Sequence, residues 1–329
     1  MEIVQFYTEM IKIGKNIDFA KDKLDKGGLV AIPTETVYGL GGNALNLESV
    51  DKIFNLKNRP SNDPLICHTN SISKIEKYVN EIPDVAYKLA EKFWPGPLTL
   101  IFEKKEIIPN KTTSNLKTVG FRIPNKEITL DLLKNLDYPI SAPSANKFGY
   151  ISPTRTEHIF KNFSQGIDYV LDGGACELGI ESTIIGFENK NTIVYRLGSL
   201  VVEDIEKCVG DITIYSNEEK FPGSFKSHYS PSKKLYLGDI KMLSDKFKDK
   251  RIGVLCFDKY YDFIKEKNQI LLSKNSSLFE ASKNLYSSLY ELDNMKNIDI
   301  ILSSLVEDTL IGRTINNRLI KSAEDNDEN

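Results

Sequence analysis

"VAIPTETVYGLGGNA", Val30 to Ala44, is the stretch on which the reading of this chain turns. It opens as an apolar run of the kind that forms a buried strand, and Pro33 ends the run. Thr34, Glu35 and Thr36 follow, then Tyr38, then three glycines in four positions. Glycines after a strand let backbone come close to a phosphate or to another segment. The spacing is neither G-x-x-x-x-G-K-[ST] nor G-x-G-x-x-G, so the two commonest nucleotide loops are excluded.

Outward from this stretch, strands and helices alternate. "NLESVDKIFNLK" is helical, with Val50, Ile53, Phe54 and Lys57 on one face. "DPLICHT" reads as a strand, and "VAYKLAEKF" as a helix stopped by "WPGP". "PLTLIFEK", "TVGFRIP", "YPISAPSA", "YVLDGG", "STIIGF" and "TIVYRLG" read as further strands. Strands mixed with helices, several of them apolar throughout, predict a large α/β sheet covered by helices. After about residue 215 the serine-, proline- and charge-rich "SNEEKFPGSFKSHYSPSKK" reads as a linker. Its aromatics, Phe221, Phe225 and Tyr229, imply that it lies against something. A smaller α/β pattern follows: strand "RIGVLCFD", helix "SLFEASKNLYSSLYELDNM", strand "NIDIILSSL" and helix "TINNRLIKSA". The expected division is 1–214, a linker over 215–233, a second domain over 234–322 and a disordered tail over 323–329.

Composition narrows the function. The 329 residues carry a net charge of -3, with 40% hydrophobic and 27% charged residues, as in an ordinary globular protein. That balance argues against a general nucleic-acid coat, so any basic site is local and no stable nucleic-acid binding is expected. The N-terminus is broken by Glu2, Glu9, Lys12 and Lys15, and reads as neither signal peptide nor membrane span. A cytoplasmic protein is expected. Cys67, Cys176, Cys208 and Cys256 form no C-x-x-C pair, and with three histidines in the chain no zinc site is expected.

The polar inventory is of one kind. Lys57 and Arg59 sit at a helix end, where cations complement the helix dipole or face an anion. His68 closes a strand, and Arg122 lies within an apolar strand, where a cation needs an anionic partner. "SAPSANKFGYISPT" offers Ser141, Ser144, Asn146, Ser152 and Thr154 on a proline-punctuated loop, a turn-rich loop or an anion nest. Ser182, Thr183 and Arg196 complete the set. There is no nucleophile–base pair with a G-x-S-x-G elbow and no metal cluster. Such a site suits polyanion binding and charge neutralisation at phosphorus, the requirement of phosphoryl and nucleotidyl transfer.

Taken in order, "PTETVYGLGGNA", "KNRPSNDPLICH", "FRIP", "SAPSAN", "SPT", "LDGGACELGIEST" and "YRLG" resemble the L-threonylcarbamoyladenylate synthases, built on the YrdC-like domain. "PGSFKSHYSP" and "NRLIKSA" resemble the linker and the C-terminal Rossmann-like domain of the long form, so the resemblance spans nearly the whole chain. It implies a twisted, open mixed sheet with a concave basic cavity. It also implies a reaction in which L-threonine, bicarbonate (or CO2) and ATP give threonylcarbamoyl-AMP and pyrophosphate. Downstream proteins then modify adenosine 37 of tRNAs that read ANN codons.

The resemblance assigns Thr36, His68, Arg122, Ser182 and the Ala142 backbone to threonine, with Arg122 on its carboxylate. It assigns Lys57, Arg59, Asp63, Thr118, Ser144, Asn146, Ser152 and Arg196 to the nucleotide. Lys57 and Arg59 are the expected catalytic cations, and Tyr229 the lid residue. Mg2+ is expected to arrive with ATP rather than at a protein-only site, with no organic cofactor. Asp63 stands where asparagine is usual, Phe148 where serine is common, Leu197 where proline is frequent and Phe221 where serine precedes Pro-Gly. Two rival readings are a carbamoyl-adenylate former of the hydrogenase-maturation type, whose C-x-x-C fingers this chain lacks, and a non-catalytic RNA- or nucleotide-binding module.

Overall fold

All three residues of the strand Val30–Ile32 are buried. The twofold period of the strand divides them between two cores. Ala31 packs with Val50, Ile53 and Ile159, whereas Val30 and Ile32 pack with Ala20, Leu24, Leu132 and Leu133. Helices Leu47–Lys57 and Thr156–Asn162 therefore cover one face, and Ile17–Asp25 and Glu127–Lys134 the other. Burial on both faces is why the strand is apolar throughout. The structure, a computed structural model, describes residues 11–189, 191–215 and 229–324. Phe221, Phe225 and most of the expected linker lie outside them.

The glycine run is itself a strand, Gly39–Asn43, antiparallel to Val30–Ile32 with Val30 opposite Gly41. A Cβ on Gly41 would stand 2.9 Å from the Val30 carbonyl and 3.0 Å from the Ile140 side chain. On Gly42 it would stand 3.1 Å from Leu29 and from Ile53. Close approach, not a turn, requires these glycines. The helix that follows starts at Asn46, whose side chain accepts from the Glu48 and Ser49 amides. It ends at Asn58 in the left-handed conformation (φ 53°), which turns Arg59 back toward the sheet.

Among the described residues one mixed sheet has eleven strands. Their order is Ile13–Gly14, Tyr169–Leu171, Val30–Ile32, Gly39–Asn43, Ile140–Ser141, Ile66–His68, Thr118–Arg122, Leu98–Glu103, Thr183–Glu188, Asn191–Arg196 and Ile212–Ile214. Ile66–His68 and Thr118–Arg122 are parallel, with His68 directly opposite Arg122. Neighbouring pairs on either side are antiparallel, so chemistry-bearing residues from distant segments meet at the sheet centre.

A second sheet is fully parallel: Leu235–Leu237, Ile300–Ser303, Ile252–Cys256 and Gln269–Leu271. Helices Leu278–Asn294 and Ile311–Ser322 pack between it and the first sheet's unit. One core runs across that boundary, joining Val37, Ile151 and Ile180 to Leu285, Tyr286, Leu289 and Ile315. Of the expected tail, Glu324 is held by its amide on the Leu235 carbonyl, and 325–329 lie outside the described residues.

Candidate active site

A partly open cavity lies at the sheet centre. The loop after Val30–Ile32 brings Thr36 and Val37 to it; the central strands bring Ile66, His68 and Arg122. The serine-rich loop contributes Ala142, Pro143 and Ser144, and the end of the chain's first unit contributes Glu181, Ser182 and Arg196. Arg59 and Tyr229 close the ring. Eight residues expected from sequence thus line one cavity: Thr36, Arg59, His68, Arg122, Ala142, Ser144, Ser182 and Arg196, with Tyr229 as the expected lid.

Arg122 is almost fully buried, and its Nη2 lies 2.8 Å from Glu35 Oε1. The pair is electrostatic only: neither atom makes an aligned hydrogen bond, which leaves donor capacity for a carboxylate. The Arg122 Nε donates to the Gly96 carbonyl at 3.3 Å. Opposite it, His68 is held neutral, with its pKa pushed down to about 3 by burial and then by the Arg122 charge. Its Nδ1 is buried without a hydrogen-bond partner, an unusual cost unless a ligand meets it. Thr36 and Thr34 hydroxyls share a 2.8 Å hydrogen bond, and Thr34 Oγ1 donates to the Val37 carbonyl, which fixes the loop.

The cations are tied more tightly than the sequence implies. Arg59 donates from Nε to the Asp63 carbonyl at 2.9 Å and from Nη2 to the Pro64 carbonyl at 2.8 Å, and pairs with the Asp63 carboxylate at 2.9 Å. Burial pushes the Asp63 pKa up, against the pull of Arg59 and Lys57. Arg196 donates to the Ser182 carbonyl and hydroxyl at 2.8 and 3.1 Å, locking Ser182 to the cavity wall.

Five expected residues do not line this cavity. Lys57 is 1% exposed, and its ammonium donates to the Ser144 and Asn146 carbonyls at 2.5 and 2.6 Å. Burial, then Arg59, pushes its pKa well down. In this structure it pins the serine-rich loop, since a buried ammonium needs acceptors, and two carbonyls occupy two of its three donors. Asn146 braces the same loop, donating to the Lys147 and Tyr150 carbonyls at 2.7 and 2.8 Å. Ser152 donates to Glu181 at 2.7 Å. Thr118 lines an adjoining, mainly apolar cavity with Leu65, Ile66, Leu116, Val119 and Ile184. Asp63 lies behind the wall, paired with Arg59.

Two carboxylates were missed by sequence reasoning. Glu35 lies inside "PTET", and the demand of buried Arg122 for an anion was the signal. Glu181 lies in "GIEST" beside the expected Ser182; its partners come from a helix 137 residues away, which no local pattern reports. Tyr229 is 1% exposed and holds a left-handed backbone (φ 67°), costly for a tyrosine and found where surroundings impose it. Its ring stacks on Tyr286 with centroids 5.7 Å apart. No group of three or more His, Cys, Asp or Glu residues capable of holding a metal occurs among the described residues. Nor is any of their helices long and apolar enough to cross a membrane.

Comparison with known proteins agrees with this architecture. Residues 22–198 match a family model described as telomere recombination (Sua5, YciO, YrdC), and residues 200–324 match the threonylcarbamoyl-AMP synthase C-terminal domain. The threonylcarbamoyl-AMP synthase of Pyrococcus abyssi is 37% identical, covering 98% of each chain. That of Bacillus subtilis is 34% identical over 91% of this chain and 90% of its own. The crystal structure of P. abyssi Sua5 complexed with L-threonine superposes with a TM-score of 0.87 at 36% identity, covering 95% of this chain and 97% of that one. Matched along nearly its whole length, the chain belongs to the threonylcarbamoyl-AMP synthase family.

Proposed function

We propose that the cavity condenses L-threonine with bicarbonate or CO2 and ATP, giving threonylcarbamoyl-AMP and pyrophosphate for tRNA modification. One observation carries the residue assignment: a buried guanidinium with open donors, a neutral imidazole with an unpaired nitrogen and hydroxyls meet in one cavity beside an apolar one. Arg122, steadied by Glu35, takes the threonine carboxylate. Neutral His68, with Thr36, Ser182 and the Ala142 backbone, reads the amine and the side-chain hydroxyl. The threonine ammonium first loses a proton; the neutral amine then adds to CO2 with release of a further proton, or to bicarbonate with loss of water, giving the carbamate. The carbamate oxygen then attacks the α-phosphorus, and pyrophosphate leaves. Arg59, Arg196 and Ser144 neutralise and hold the phosphates, and Lys57, Asn146 and Ser152 keep their walls in place. The apolar cavity with Thr118 holds the adenosine end.

Mg2+ would arrive with the nucleotide phosphates and supply charge neutralisation there. Residues 1–214 form the catalytic unit, and Tyr229 closes the cavity against water, which protects a labile mixed anhydride. The setting is the cytoplasm, and tRNA-modification proteins consume the product.

The test is pyrophosphate release by purified protein with MgATP, leaving out threonine and bicarbonate in turn and substituting serine. The expected result is release that requires both substrates and yields a nucleotide with the mass of threonylcarbamoyl-AMP. Release without threonine would point to another acceptor. Folded protein that binds ATP yet releases nothing would point to a binding module.

A further inference from the structure

Glu181 is a carboxylate in the cavity wall, 6% exposed, and its partners come largely from the second domain. Arg318 donates from Nε to its Oε2 at 2.9 Å, and the Tyr286 hydroxyl lies 3.0 and 2.9 Å from its two oxygens. From the first domain, Ser152 donates to Oε1 at 2.7 Å. Burial alone would raise the Glu181 pKa; Arg318, then Arg196, more than offset this and hold it at about 2. A carboxylate so saturated is no proton acceptor near neutral pH. Its use must be positional.

What it positions is adjacent. Glu181 precedes Ser182, whose carbonyl and hydroxyl accept from Arg196. The same helix, Ile311–Ser322, grips the next turn of this wall: Arg318 Nη2 donates to the Leu197 carbonyl at 2.7 Å and Thr314 Oγ1 to the Gly198 carbonyl at 3.0 Å. Gly198 in turn lies against the Ser182 backbone so closely that a Cβ there would meet it at 2.3 Å. The Arg318 guanidinium also covers the Tyr229 ring, 4.9 Å from its centroid.

We propose that Arg318 and Tyr286 are positioning residues for the reaction: through Glu181 they hold Ser182 and Arg196 at substrate distance. The second domain is then part of the active site's support as well as of Tyr229, whose ring Arg318 and Tyr286 cover. This rests on the assignment of the cavity to threonine and ATP.

The test uses the full-length chain and steady-state pyrophosphate release. Tyr286→Phe removes one hydroxyl and keeps the stacking ring. It should raise the KM for threonine about tenfold, with the melting temperature within about 4 °C of wild type. Arg318→Met should lower kcat/KM about a hundredfold, with partial recovery in Arg318→Lys. In a double-mutant cycle, Tyr286→Phe should cost less in a Glu181→Gln background than alone, since both act through one carboxylate. Arg251→Ala, at an exposed ion pair in the same domain, should change neither parameter. Unchanged threonine KM in Tyr286→Phe, or strict additivity in the cycle, overturns the proposal. A fall in kcat alone that tracks loss of folded protein overturns it too. Wild-type protein without threonine-dependent release overturns the reaction assignment, and the positional role with it.

Discussion

Arg122 is a single side chain on which both the fold and the proposed chemistry rest. A guanidinium buried in a strand is tolerable because Glu35 compensates its charge, and useful because that pairing leaves donors unspent. Arg122→Met should reduce kcat/KM for threonine at least about a hundredfold, and Arg122→Lys should recover little of it, because an ammonium lacks the planar fork. Pyrophosphate release over a threonine titration checks both. The histidines set an acid limit on stability. His68 and His158 are both held at about 3, chiefly by burial, against an ordinary 6.5. The unfolded chain therefore binds more protons between those values. Stability is full above about 6.5 and falls as pH drops toward 3, by up to about 1.4 kcal/mol per pH unit per histidine. Urea midpoints at pH 8, 7, 6 and 5 should be level between the first two and decline after. Glu181 adds a second window: its stabilisation is present above about 4.5 and lost as pH falls toward 2.

Among the elements, the glycine strand is the most constrained. Gly41→Val should cost about 1–3 kcal/mol by overpacking, because the new side chain meets both the Val30 carbonyl and Ile140. Gly149→Ala is the contrast: its φ is +81°, but nothing lies within 4 Å, so only backbone strain of about 1 kcal/mol is expected. Thermal melts of the two variants should therefore separate crowding from strain. Most strands announced themselves as apolar runs, but Gly39–Asn43 did not, because glycine carries no side chain from which a period could be read. The short helices Ile17–Asp25, Glu127–Lys134 and Val202–Val209 also escaped notice: each offers two or three turns, too few for a periodic signal.

At the scale of the whole molecule, the two sheets share one core. Their boundary is crossed by a continuous apolar core and by a buried carboxylate–guanidinium pair that neither unit satisfies alone. His158 adds a third link, stacked on Tyr290 with ring centroids 3.9 Å apart. Scanning calorimetry should show a single unfolding transition. Two resolved transitions would mean that the units are stable separately and that the shared core contributes little.

By itself the sequence determined the class of fold and named most of the residues that line the cavity. Apolar runs, helix caps and ordered motifs are local properties, and Thr36, His68, Arg122, Ser182 and Arg196 lie inside such motifs. Only the tertiary structure decided which cations face the cavity and which are consumed in holding it. Lys57 and Arg59 are two residues apart, yet one is spent on loop carbonyls and the other lines the site. Nor could any local pattern show that Glu181 is satisfied by Arg318 and Tyr286. A buried charge must find its partner in space, and the partner's distance along the chain carries no information about where that will be.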